Sequence, residues 1–180
     1  TGQSGRKREM VVLIAGSSHT GKTLAAQKLL ERYHYPYLCI DHLKMGLIRS
    51  GVCGLSPESP DRELTPYLWG VVKEIVKTAV ENGQNLVVEG CYIPFDWKKD
   101  FEPTYLAQIR YICLIFSARY LEERFSEVER YANVIETRKG GGACARQALL
   151  RENLRNLEQC RTRGLEYRLI DGEYSVEIEL

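Results

Sequence analysis

The chain has 180 residues, of which 44% are hydrophobic and 27% are charged, and its formal net charge at pH 7 is +1. These values are typical of a single globular domain, and they argue against a strongly basic nucleic-acid-binding face or an acidic disordered chain. The longest apolar runs, 10–15 and 111–116, are much shorter than the roughly 20 residues of a membrane-spanning helix. The composition therefore predicts neither a nucleic-acid partner nor a membrane partner.

The first nine residues are polar and rich in glycine and serine, which predicts a disordered tail or a cloning remnant ahead of one domain at 10–180. They lack the apolar centre of a signal peptide. Contact of the basic triplet at 6–8 with nucleic acid or an anionic membrane is the alternative role for this tail. The six cysteines include no CxxC pair, which favours a reduced, cytoplasmic protein over a zinc or disulfide-exchange site.

Short apolar runs alternate with longer amphipathic stretches from residue 10 onward. The pattern predicts strands at 11–15, 37–40, 86–89, 110–116 and 167–170. It predicts helices between them at 22–33, 41–49, 66–82, 118–138 and 144–163. Because the strand segments are apolar throughout rather than alternating, we expect them to be buried on both faces. The predicted fold is therefore a three-layer α/β/α sandwich with a five-stranded, mainly parallel sheet.

The most specific feature is the segment at 16–23, which matches the phosphate-binding pattern GxxxxGK followed by Ser or Thr. Its glycines let successive backbone N–H groups point into one concavity that attracts anions, and the dipole of the following helix adds to this field. Lys22 is predicted to reach the β- and γ-phosphates, and Thr23 to bind Mg²⁺. The segment therefore predicts ATP and Mg²⁺ as cofactors, with nucleotide contacts from Gly16, Ser17, Ser18, His19, Thr20, Gly21, Lys22 and Thr23. His19 occupies a variable position of the pattern, so we interpret it as shaping the loop rather than as catalytic.

Two classes of nucleotide hydrolase fit the sequence poorly. A GTPase needs an Asn-Lys-x-Asp segment to read the base, and no asparagine here is followed by lysine. Helicases and related ATPases place an Asp-Glu pair at the end of a strand, whereas the third predicted strand ends on Glu89 alone, followed by Gly90. A dedicated nucleoside triphosphate hydrolase is therefore disfavoured.

Three segments resemble the nucleoside monophosphate kinase superfamily, most closely the branch of chloramphenicol phosphotransferase, shikimate and gluconate kinases and zeta-toxin-like proteins. They are the phosphate-binding loop, the strand and aspartate at 37–44, and the strand and helix at 116–125. The resemblance implies a P-loop kinase fold with a small lid at about 124–151. It also implies that Asp41 accepts the proton of an acceptor hydroxyl and that Arg124, at the start of the lid, stacks on adenine.

The order of strands and helices also predicts that Asp41 lies at the edge of the sheet where ligands bind. Ligands of parallel sheets bind beyond the carboxyl ends of the strands, and Asp41 directly follows the second predicted strand. The alternative is that Asp41 only caps the helix that it opens. Glu89 ends the neighbouring strand and is expected to hold an Mg²⁺-bound water or a substrate hydroxyl.

The remaining candidate residues are cations and rings near these strand ends. Lys44 and Arg49 follow Asp41 on its helix and are candidates for gripping an anionic acceptor, while Tyr92 and Trp97 are candidates for packing against an acceptor ring. Core packing or ordinary surface exposure is the alternative for each. Three lid arginines are expected to close over the phosphates: Arg138, which is our catalytic candidate, Arg130 and Arg151. The Asp-Gly-hydrophobic-Pro-Arg motif of adenylate kinases is incomplete here, because no arginine follows Pro94.

These features together predict an ATP-dependent small-molecule kinase. It would transfer the γ-phosphate of ATP to a hydroxyl or phosphate acceptor, such as a nucleoside monophosphate or a small metabolite, as a monomer or homodimer. The alternative is an ATP-binding regulatory or switch module without a small-molecule acceptor.

Overall fold

The computed structural model describes the backbone of residues 10–135 and 143–180, and within these ranges the side chains of residues 10–130 and 145–180. Two sequence predictions lie outside the described residues: the tail at 1–9 and the catalytic candidate Arg138.

The strands form one five-stranded sheet in the order β2-β3-β1-β4-β5, and every neighbouring pair is parallel. Their bounds are β1 Val11–Gly16, β2 Tyr37–Cys39, β3 Leu86–Glu89, β4 Ile109–Phe116 and β5 Tyr167–Ile170. The helices are α1 Lys22–Tyr33, α2 Ile40–Arg49, α3 Asp61–Glu81, α4 Pro103–Leu106, α5 Ala118–Ile135 and α6 Ala143–Arg163, with a short 3₁₀ helix at Trp97–Asp100.

Both faces of the sheet are covered, as the apolar strand segments predict. Alternate residues of β1 point to opposite faces, so Leu13 packs with Leu68 and other residues of α3, whereas Ile14 packs with Leu29 of α1 and Leu121 of α5. All six residues of β1 are buried, since this strand lies in the middle of the sheet. The predicted three-layer sandwich is therefore confirmed.

The third helix begins five residues earlier than the sequence predicts, at Asp61 rather than at Pro66. Pro66 therefore lies inside the helix rather than at its start. The first turn forms because the backbone N–H groups of Glu63 and Leu64 donate to the carbonyl of Pro60, at 2.8 and 3.1 Å. Leu64 is only 2% exposed, and its burial in the core stabilises this extra turn.

The second helix also starts one residue earlier than the sequence predicts, which changes the position of Asp41 in the helix. The helix begins at Ile40, with Cys39 as the N-cap residue, so Asp41 lies within the first turn. Ile40 is fully buried beside the sheet, which explains why the helical conformation starts one residue early. The alternative role of Asp41 as the helix cap is therefore wrong.

None of the helices in the described part of the chain combines the length and the apolar character needed to cross a membrane.

Asn153 of α6 offers a test of how this helix is fixed to the sheet. It is 1% exposed, and its Oδ1 accepts a hydrogen bond from the backbone N–H of Phe116 at 2.9 Å while its Nδ2 donates to the carbonyl of Leu149 at 2.8 Å. Asn153→Leu keeps the branching at Cγ but leaves the N–H group at the end of β4 unpaired. We expect the free energy of unfolding to fall by about 1–3 kcal/mol in urea denaturation.

Gln147→Leu, on the exposed part of the same helix, is the matched control and should change the free energy of unfolding by less than about 0.5 kcal/mol. Equal stability of the two variants would contradict the role given to Asn153.

Candidate nucleotide-binding site

The carboxyl ends of three neighbouring strands meet at one edge of the sheet. Glu89 of β3 lies level with Cys39 of β2 and with Ile14 of β1 in the two parallel pairings. The loop after β1, the first turn of α2 and the segment after β3 therefore leave the sheet side by side. Parallel sheets of this kind bind ligands at this edge.

The loop at 16–21 has the backbone that its sequence requires. Gly16 has a φ of 140°, and a Cβ atom there would lie 2.5 Å from the carbonyl oxygen of Leu114 in the neighbouring strand. His19 also has a positive φ, 69°, which fits a residue that shapes the loop. The hydroxyl of Thr20 donates to the carbonyl of Ser17 at 2.9 Å, and both residues are fully buried. These contacts hold the loop in a closed curve.

The first turn of α1 leaves N–H groups without helical partners beside this loop. The first bond within the helix runs from the N–H of Ala25 to the carbonyl of Gly21, at 2.9 Å. The N–H groups before Ala25 therefore lack an acceptor in the helix, and they carry the positive end of its dipole. An anion such as phosphate satisfies both requirements.

Lys22 is 7% exposed, and its Nζ donates a hydrogen bond to the carbonyl of Ser17 at 2.6 Å. Burial by itself would lower the pKa of this ammonium group, but the nearby Cys91, Glu89 and Asp41 outweigh that effect and raise the pKa above its ordinary value. Lys22 is therefore a fixed cation at the mouth of the loop.

Thr23 and Glu89 form a direct contact between α1 and β3. The Thr23 hydroxyl donates to Oε1 of Glu89 at 3.0 Å, and Glu89 is only 2% exposed. Because the hydroxyl proton is directed at the carboxylate, an oxygen lone pair of Thr23 stays free to bind a cation. Mg²⁺ commonly uses one or two protein oxygens together with water and phosphate oxygens, so this pair fits it. The expected contact of Glu89 with an Mg²⁺-bound water or a substrate hydroxyl stays a prediction.

Asp41, Lys44 and Tyr92 form a second group beside the loop. The Nζ of Lys44 donates to the Tyr92 hydroxyl at 3.0 Å. Burial raises the pKa of Tyr92, the Lys44 ammonium opposes this, and the Asp41 carboxylate adds to the rise. Since Asp41 also contributes to the raised pKa of Lys22, its carboxylate lies near both groups. Asp41 therefore lies within electrostatic range of Lys22 and Tyr92, and its role as the base stays a prediction.

Cys91 belongs to this site, although our sequence analysis did not single it out. Its Sγ lies 4.0 Å from Oγ of Ser18, and it is the largest of the influences that raise the pKa of Lys22. The signal available in the sequence was its position two residues after Glu89, at the same end of the same strand.

The described arginines that the sequence proposed for the site are half-exposed or exposed. Arg124 pairs with Glu127 at 3.5 Å and lies 6.0 Å from the Tyr120 ring, at a residue whose φ of −128° and ψ of 21° interrupt the helix. Arg49 is exposed at the end of α2, eight residues after Asp41 and so about 12 Å along the helix axis. Two further arginines, Arg130 and Arg151, are exposed. The roles given to all of these arginines stay predictions.

Trp97 and Arg119 make contacts that the sequence did not predict. Trp97 is 2% exposed, stacks on Tyr111 with ring centroids 5.8 Å apart and lies in the core, so it is not available for an acceptor ring. Arg119, which we had not considered, pairs with Asp171 at 3.0 Å and joins the start of α5 to the segment after β5.

The comparisons with known proteins rest on structure. No family model matches the sequence, and no curated protein matches it. A solved structure of a gluconokinase from Sinorhizobium meliloti superposes with a TM-score of 0.54 at 15% identity, covering 92% of this chain and 84% of that chain. A sugar kinase from Janibacter gives a TM-score of 0.51 at 14% identity, covering 89% and 84%.

A shikimate kinase from Bacteroides thetaiotaomicron is similar at a TM-score of 0.50 and 12% identity, covering 90% of this chain and 85% of that chain. At such low identity these likenesses bear on the fold alone. The resemblance stated from the motifs is confirmed at that level: the chain has the fold of the small P-loop kinases.

Proposed function

We propose that this protein is an ATP-dependent phosphotransferase that moves the γ-phosphate of ATP to the hydroxyl or phosphate group of a small acceptor. The observation that carries the proposal is the convergence of Lys22, the Thr23–Glu89 pair and Asp41 at one edge of the sheet. A loop that only bound nucleotide would need the lysine and threonine. It would not need Asp41 as a second carboxylate whose charge acts on Lys22.

Each residue has a defined part in the proposed reaction. The N–H groups of the loop and of the first turn of α1 bind the phosphates, and Lys22 neutralises charge on the β- and γ-phosphates. The Thr23 hydroxyl would help to hold Mg²⁺, which would supply positive charge against the phosphates. Thr23 would be its protein ligand, and Glu89 would orient that ligand or a water next to it. Lys44 and Tyr92 would line the acceptor side.

The transfer step with a hydroxyl acceptor conserves atoms and charge. The acceptor oxygen forms a bond to the γ-phosphorus, and the bond from that phosphorus to the bridging oxygen breaks. The bridging oxygen leaves with the electron pair as part of ADP, and Asp41 takes the hydroxyl proton. Lid residues within 124–151, including Arg124 and Arg138, would exclude water from this step.

Acceptor-dependent release of ADP tests the proposal. We would supply MgATP with a library of nucleosides, nucleotides, sugars, sugar acids and phosphorylated acids. The names of the similar solved structures, gluconokinase, sugar kinase and shikimate kinase, support including hydroxyl compounds. We expect at least one acceptor to raise ADP release, and Lys22→Ala to abolish the increase along with ATP binding.

Lys77→Ala, a lysine paired with Glu74 on the surface of α3, is the matched control and should behave as the parent protein. ADP release at one rate with or without acceptors would indicate an ATPase instead. Tight ATP binding without any turnover would indicate the switch module.

Asp41→Asn tests the assignment of the base. The carboxamide keeps the size and position of the side chain but cannot take the acceptor proton. We expect kcat to fall by about 10²- to 10⁴-fold while the affinity for ATP stays unchanged. Asp96→Asn, which removes an exposed carboxylate paired with Lys99, serves as control. Full turnover by Asp41→Asn would show that another group, or water, takes the proton.

Glu89→Gln tests the metal assignment. The carboxamide oxygen can still accept the hydrogen bond of Thr23, but the negative charge is lost. We expect the Mg²⁺ concentration needed for half-maximal activity to rise about 10- to 100-fold. Glu74→Gln, an exposed glutamate of α3, is the control. An unchanged Mg²⁺ requirement would place Glu89 outside the metal-binding machinery.

A further inference from the structure

The segment at 171–180 has no regular secondary structure, yet it is firmly attached to the layer that contains α1. Val176 and Ile178 are 1% and 5% exposed and pack in the same cluster as Ala26 and Leu29 of that helix. The Nζ of Lys28 pairs with Glu177 at 2.9 Å. The segment therefore runs along α1, and its earlier residues lie nearest the amino end of that helix.

Tyr174 of this segment reaches the phosphate-binding loop. Its hydroxyl donates a hydrogen bond to the backbone carbonyl of Thr20 at 3.0 Å, a contact between residues 154 positions apart in the chain. A Cβ atom at Gly21 would lie only 1.5 Å from that hydroxyl, so the tyrosine occupies space that a glycine alone leaves open. The ring therefore lies directly against the junction between loop and helix.

The tyrosine is also held in the protonated form. Burial raises its pKa to about 12, and the nearby Tyr120 adds to the rise. The hydroxyl thus remains a hydrogen-bond donor over the whole range of ordinary working pH. A carbonyl oxygen, which can only accept, is the partner suited to it.

The geometry of the peptide unit connects this bond to phosphate binding. The described residues contain no cis peptide bond, and in a trans peptide the C=O and the following N–H point in opposite directions. Holding the carbonyl of Thr20 towards Tyr174 therefore directs the N–H of Gly21 away from it. Gly21 needs such support, because a glycine at φ 83° has access to many other backbone conformations.

We propose that Tyr174 is a positioning residue of the nucleotide site, whose hydroxyl fixes the Thr20–Gly21 peptide so that the N–H of Gly21 faces the bound phosphates. The residue does not touch the acceptor or the reacting atoms in this role. Nothing in the phosphate-binding pattern itself reveals it, since the contact comes from the opposite end of the domain. The inference rests on the nucleotide-binding part of the proposed function.

The test is the affinity for MgADP, measured by isothermal titration calorimetry. Tyr174→Phe keeps the ring and removes only the hydroxyl, and we expect it to weaken MgADP binding about three- to tenfold, the loss typical of one neutral hydrogen bond. In turnover assays the KM for ATP should rise while kcat stays near that of the parent protein. A purely structural tyrosine would instead lower the melting temperature and leave both values unchanged.

Two controls separate the hydroxyl from other effects. Tyr67→Phe removes the hydroxyl of a tyrosine that is equally exposed, 38% in both cases, and should bind MgADP as the parent does. Lys28→Met breaks the ion pair with Glu177 but leaves Tyr174 intact, so it should also bind normally. Unchanged affinity in Tyr174→Phe, or an equal loss in Lys28→Met, would overturn the inference. Failure of the parent protein itself to bind MgADP would refute the proposed nucleotide-binding function.

Discussion

The contact between Thr23 and Glu89 is the constraint on which the geometry of the site depends. Glu89 is almost completely buried at the end of β3, where an uncompensated carboxylate would be strongly destabilising. The Thr23 hydroxyl at 3.0 Å and the nearby Lys22 ammonium supply the compensation. Both come from the first turn of α1. The start of that helix is therefore held to the sheet edge by polar contacts as well as by its apolar face.

The position of Glu89 also sets the phosphate-binding loop and Asp41 relative to each other. The β1–β3 pairing sets Glu89 beside the strand that leads into the phosphate-binding loop, and the β2–β3 pairing sets it beside the strand that leads to Asp41. A shift of either pairing by one residue would turn the carboxylate to the other face of the sheet. The distance between the loop after β1 and Asp41 is thus a property of strand register.

Lys22 and the N–H groups at the start of α1 are the parts of the site suited to an anion. Lys22 donates to the carbonyl of Ser17, a neutral acceptor, while Asp41 and Glu89 act on it from nearby. A phosphate oxygen is a charged and stronger acceptor than a carbonyl, so it can replace Ser17 as the partner of the ammonium. The segment that carries Tyr174 contacts the carbonyl of Thr20, at the junction of the loop and α1.

The local features of this protein were determined by the sequence alone. The phosphate-binding loop, its flanking strand and helix, and the strand at Leu86–Glu89 all depend on residues close together in the chain, so a pattern of spacing and polarity predicts them. Parallel strands with apolar segments likewise implied that Asp41 and Glu89 share one edge of the sheet. Local pattern was less reliable where burial overrode it, as at Pro66, which the packing of Leu64 and Leu68 holds inside a helix.

Only the tertiary structure decided which side chains meet across the chain. The bond from Thr23 to Glu89 spans 66 residues, and that from Tyr174 to Thr20 spans 154, and neither has a signature in residue spacing. Such contacts depend on strand register and on the path of the segment at 171–180, which are fixed by the packing of the whole domain. The sequence therefore identified the phosphate-binding loop, whereas the packed fold determined which distant side chains hold that loop in place.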